Sequence, residues 1–79
     1  GAEVVVEVEL PGDELRPRHG RWTEIEDLSP TRCRITMKTD SFDWPTHLVS
    51  TFDAAITVVS PPEFRDHLAD VAKRFASAS

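Results

Sequence analysis

Two runs of strict alternation place the tightest limit on what this chain can fold into. In residues 4–10, Val4, Val6, Val8 and Leu10 fall on one side, and Val5, Glu7 and Glu9 on the other. In residues 32–39, Cys33, Ile35 and Met37 point one way, and Arg32, Arg34, Thr36 and Lys38 the other. Period-two spacing of β-branched and apolar residues suits a strand with one face buried and one face wet. Two such strands make a sheet with one apolar face, which amphipathic helices must cover.

The rest of the chain supplies the remaining elements. Pro11-Gly12 ends the first run, and Asp13-Glu14-Leu15 opens a helical pattern that Pro17 and Gly20 restrict to a turn or two. That connection reads as a short helix or loop. Residues 22–28 alternate less cleanly, Trp22, Glu24, Glu26 and Leu28 against Thr23, Ile25 and Asp27, as an edge strand guarded by charge does. The turn Ser29-Pro30-Thr31 joins it to residues 32–39 as a hairpin. Asp40 and Ser41 offer capping oxygens to a second helix in which Phe42, Leu48, Val49 and Phe52 recur at near-helical spacing, ending about Asp53. Pro45 fits such a helix only in its first turn. Residues 55–59 form a short apolar run suited to a strand covered on both faces. Ser60-Pro61-Pro62-Glu63 is a helix start, followed by one apolar stripe, Phe64, Leu68, Val71, Ala72 and Phe75. Lys73 and Arg74 suit the negative end of that helix, and residues 76–79 are expected to fray.

This order predicts an α+β, ferredoxin-like two-layer sandwich: a four-stranded antiparallel sheet, a degenerate first helix and an added C-terminal helix. The first and third strands take the centre. The 79 residues make one domain with one modest core. With all helices on one face, the other stays open and carries Val5, Glu7 and Glu9 beside Arg32, Arg34, Thr36 and Lys38.

Several functions are excluded or disfavoured. Fourteen acidic against nine basic residues, a net charge of −5, argue against a general nucleic-acid binder. The single cysteine, Cys33, allows no internal disulfide and no cysteine-built zinc site, and suits a reducing, cytoplasmic setting. No apolar run is long enough to cross a membrane, and no signal peptide is recognisable. His19, His47 and His67 lack ligand spacing, Ser50-Thr51 lacks a nucleophile elbow, and the three glycines all precede residue 21. Arg16, Arg18 and Arg21 invite comparison with small acylphosphatase-like hydrolases of this fold, but the glycine-rich phosphate cradle is missing. The expectation is no catalytic residue, no cofactor and no metal.

Three features remain. Arg32, Arg34 and Lys38 put three cations on the open face, suited to an anionic ligand or to ordinary pairing with Glu7 and Glu9. Trp22, at an edge, is a candidate interface residue or a cap on the core. Third is the pentapeptide Pro61-Pro62-Glu63-Phe64-Arg65, which follows a hydrophobic strand.

That pentapeptide, with Leu48, Val49 and Phe52 before it and Ile56 and Val58 between, resembles the C-terminal end of bacterial WYL-domain transcriptional regulators. Those proteins finish with a small ferredoxin-like module, the WYL C-terminal extension or WCX domain. The usual pattern is a helix ending Leu-Leu-x-aromatic-Gly, a Val-x-Val strand, then Pro-Pro-Glu-Leu-Arg and an amphipathic helix. Here Phe64 replaces Leu, Asp53 stands at the usual Gly, Pro45 interrupts the second helix, and Pro17 and Gly20 shorten the first.

The resemblance implies that residues 1–79 are a single WCX-like domain at the end of a longer regulator. A start at Gly1-Ala2 directly before a strand fits a trimmed chain. Helix-turn-helix DNA contacts would then lie outside the chain, and a WYL domain would be its neighbour. The implied work is non-catalytic: homodimer contact and sensing of an effector, single-stranded DNA or another nucleotide-containing ligand. The alternative is a free-standing, ACT-like small-ligand binding domain.

Overall fold

The computed structural model describes residues 2–78, and Gly1 and Ser79 lie outside the described residues. The alternating runs become its two central strands. β1 (Ala2–Val8) runs antiparallel to β3 (Arg32–Thr39), with Val6 opposite Ile35 and Val8 opposite Cys33. β2 (Glu24–Ser29) pairs with the far side of β3, and β4 (Ile56–Ser60) with the far side of β1. The order β2-β3-β1-β4, antiparallel at every step, is the expected ferredoxin-like sheet.

Three helices close one face: α1 (Gly12–His19), α2 (Asp43–Ser50) and α3 (Pro62–Ala76). Val4, Val6, Val8, Cys33, Ile35, Met37 and Val58 meet Leu15 of α1, Leu48 and Val49 of α2, and Phe64 of α3 in one buried cluster. Phe64, fully enclosed, lies edge-on to Phe42 at 5.2 Å between ring centroids. Burying a side chain of this kind is worth about 1.5–3 kcal/mol. α1 lies over β2 and β3, and α3 lies along β4.

The structure corrects several expectations. β1 ends at Val8 rather than Leu10, because the chain bends there towards α1 and half-buries Leu10 against the core. The first connection takes the short-helix alternative rather than the loop, eight residues that run through Pro17, whose missing amide removes one bond; buried Leu15 and the ion pairs of Arg16 anchor it. β2 starts at Glu24, because the amides of Trp22 and Thr23 both turn back to the His19 carbonyl. Trp22 is therefore in a turn, 74% exposed, and caps no core. α2 stops at Ser50 rather than near Asp53; Ser41 Oγ accepts the Asp43 amide at its start, while Phe42 is the residue at the cap position. β4 is an edge strand covered on one face only, with Val58 buried and Thr57 and Val59 exposed, since no helix reaches the other face. The apolar stripe of α3 is buried only at its start: Phe75 is 72% exposed because the helix outruns the core.

Candidate functional site

The open face of the sheet carries a cross-strand ion network centred on Glu7. Register explains it: Glu7 stands opposite Arg34 across β1 and β3, and Arg34 stands opposite Glu26 across β3 and β2. Arg34 donates to Glu7 Oε2 through Nε at 3.2 Å and Nη2 at 2.9 Å, and through Nη1 to Glu26 Oε1 at 3.4 Å. Arg32 Nη2 lies 2.9 Å from Glu7 Oε1. Arg32 Nε lies 3.0 Å from Glu9 Oε1 but off the N–H direction, so this contact is charge attraction rather than a hydrogen bond. The Glu7 hydrogen bond pushes the Arg34 guanidinium above its ordinary pKa.

Three carboxylates thus surround two guanidinium groups. Exposed ion pairs contribute little stability, but they hold long side chains in one arrangement over the sheet. Glu7 is the least exposed member, its side chain only 15% accessible. An incoming anion competes with these carboxylates for Arg32 and Arg34.

Lys38 differs. It stands opposite Glu3 but forms no ion pair among the described residues. With Trp22, Arg21, Thr23, Glu24 and Thr36 it lines a shallow depression of about 200 Å³. Lys38 and Trp22 therefore come together, at the opposite end of β3 from Arg32. The Pro61-Pro62-Glu63-Phe64-Arg65 segment is architectural: the Phe64 amide bonds the Pro61 carbonyl at 3.0 Å, and the turn seats Phe64 in the core.

On the helical side, Arg16 bonds Asp13 at 2.8 Å and Asp27 at 2.9 Å, raising its pKa and tying α1 to β2. His19 sits edge-on to Phe52 and His67 is tilted against Phe42, while His47 lines the groove between α2 and α3. Burial, then the charge of Arg18, lowers the His19 pKa. Burial raises that of the Cys33 thiol, as expected for a small core residue. Among the described residues no group of three or more His, Cys, Asp or Glu side chains is placed to hold a metal ion. No helix is long and apolar enough to cross a membrane.

The sheet order and the Phe64 turn are joined by a direct finding: the WCX domain family matches residues 2–76. The chain belongs to the WCX domain family. It is accordingly a WYL-associated regulatory domain. No curated protein and no solved structure gives a significant match.

Two features of this WCX domain were missed by reasoning from spacing alone. Pairing of the arginines with Glu7 and Glu9 is one of the two alternatives the spacing offers, but spacing does not show that Glu7 joins both arginines or that Glu26 enters the network. Both follow from register, which the hairpin turn and the β1–β3 pairing set and which no single strand reveals. Arg21 beside Lys38 was missed because the turn after α1 carries it there.

Proposed function

We propose that this WCX domain is the non-catalytic regulatory module of a cytoplasmic, DNA-binding bacterial transcriptional regulator, serving subunit contact and effector sensing. The single observation that carries the reading is the family match over residues 2–76. The geometry supports it in one way: the open face offers paired cations that an anion can engage in competition with their carboxylate partners.

In this reading DNA is gripped by a helix-turn-helix outside the chain, and a WYL domain faces the open sheet as a second wall. The effector is anionic, a single strand of DNA or another nucleotide-containing ligand. Its phosphates compete with Glu7 and Glu9 for Arg32 and Arg34, with arginine forks giving bidentate geometry. Lys38 and Trp22 add a cation and a stacking surface at the far end of β3.

Deleting residues 2–76 from the full-length regulator tests the reading. DNA carrying the operator should still be bound specifically at high protein concentration, while the response of a reporter gene to the inducing condition is lost. A reporter that responds as before would show that the module does not regulate.

A further inference from the structure

On the helical layer, away from the open sheet face, α2, β4 and α3 border a groove of about 550 Å³, a volume usual for small-molecule sites. Val49, Ile56, Leu68, Val71 and Phe75 give it an apolar lining. Phe75 lines it while 72% exposed, which leaves most of an aromatic ring in water.

The polar side chains of the groove are matched to one kind of group. Both hydroxyls are spent on helix carbonyls: Thr46 Oγ1 donates to that of Phe42 and Ser50 Oγ to that of His47, each at 2.6 Å. The side-chain donors left along the groove are the guanidinium of Arg74 and the imidazoles of His47 and His67. Arg74 forms no ion pair among the described residues, unlike Arg16, Arg32 and Arg34. The acid of the groove, Asp43, stands at the other end. His67 packs on Phe42, the neighbour of Asp43, and Arg74 follows about two turns later in α3, ~10 Å of helix rise.

We propose that this groove binds a medium-length acyl-chain carboxylate, with the carboxylate on Arg74 and the chain along Val49, Leu68, Val71 and Phe75. The site goes beyond the sensing face of the proposed function and shares no residue with it. A guanidinium fork suits a carboxylate, and the lining between Arg74 and Asp43 suits an extended apolar chain. Recognition of the charge falls to Arg74, because the C-terminal end of α3 repels an anion, as does Asp43. A chain of the same length ending in an ammonium group meets repulsion from Arg74 instead.

The test titrates the 15N-labelled 79-residue chain with octanoate, octylammonium and acetate and follows its backbone amides by NMR. Expected is a dissociation constant for octanoate on the order of a millimolar, read from amides of α2, β4 and α3, with weaker groove binding of the other two. R74Q should weaken octanoate about three- to tenfold and abolish its advantage over octylammonium. F75A should weaken it as well, and both variants should melt within a few degrees of the parent. Groove amides that stay unmoved by octanoate, equal binding of octanoate and octylammonium, or an R74Q affinity equal to the parent's would overturn the proposal. Groove amides that move with protein concentration alone would also overturn it, making the occupant a second copy. None of these outcomes removes the sensing reading, whose residues lie on the other layer.

Discussion

Truncating Phe64 to Ala should be the most damaging single change in the molecule, and the same change at Phe75 among the least. Both residues lie on the apolar stripe of α3, so sequence pattern treats them alike. Phe64 is fully enclosed and edge-on to Phe42, whereas Phe75 is 72% exposed. Loss of a buried phenylalanine costs about 3–5 kcal/mol, counting the transfer of the ring and the cavity left behind. A domain of 79 residues holds roughly 4–12 kcal/mol in all. Phe64→Ala should therefore lower Tm by roughly 15–30 °C or leave the chain unfolded at room temperature. Phe75→Ala should stay within about 0.5 kcal/mol of the parent, a shift of a few degrees at most. Urea and thermal melts followed by near-ultraviolet circular dichroism separate the two at low protein concentration. Equal losses, or a Phe64→Ala variant melting within a few degrees of the parent, would refute the placement of α3.

Other consequences are smaller. A Cβ at Gly12 would run into Asp27 Oδ1, the atom that holds Arg16, so Gly12→Ala should lower Tm by about 4–8 °C. Adding Asp27→Ala should recover part of that loss, as thermal melts of the single and double variants would show. His19 has its pKa lowered on folding, mainly by burial, so the unfolded chain binds the extra proton. Stability should be full above the ordinary value of 6.5 and fall as pH drops from there towards the lowered pKa. Urea midpoints between pH 7.5 and 5.5 should be flatter in His19→Gln, and an unchanged slope would exclude His19 as the source. Because Glu7 touches both arginines and is mostly covered, Glu7→Gln should lower Tm more than Glu9→Gln or Glu26→Gln. Molar salt should narrow that difference in the same melts.

The central strands and the sheet order were legible because alternation in β1 and β3 is local and unambiguous. The α3 start was legible too, since Ser60-Pro61-Pro62-Glu63 sets a cap, a first-turn proline and a favourable acid together. Failures came where tertiary context outweighed pattern. Trp22 looked like strand, but two amides returning to one His19 carbonyl make it a turn. Pro17 left short helix and loop both open, and anchoring by Leu15 and Arg16 decides for the helix despite one lost bond. Residues 55–59 looked covered on both faces because Ala55, Ile56, Val58 and Val59 are apolar, while the edge position of β4 leaves Val59 in water. At the candidate site, Arg32, Arg34 and Lys38 were placed on one face as expected. Their partners were only half visible, because which carboxylate each meets depends on register across three strands.

The central claim is that this open face takes part in sensing, and direct binding to the full-length regulator tests it. A fluorescent single-stranded DNA oligonucleotide is titrated with wild type, R32Q/R34Q and E7Q/E9Q, and the Tm of each is measured alongside. Removing the guanidinium groups should weaken binding about tenfold or more with operator binding retained. Removing the competing carboxylates should tighten it. Affinities that match across all three proteins while Tm falls would contradict the account and make the network a structural tie between strands.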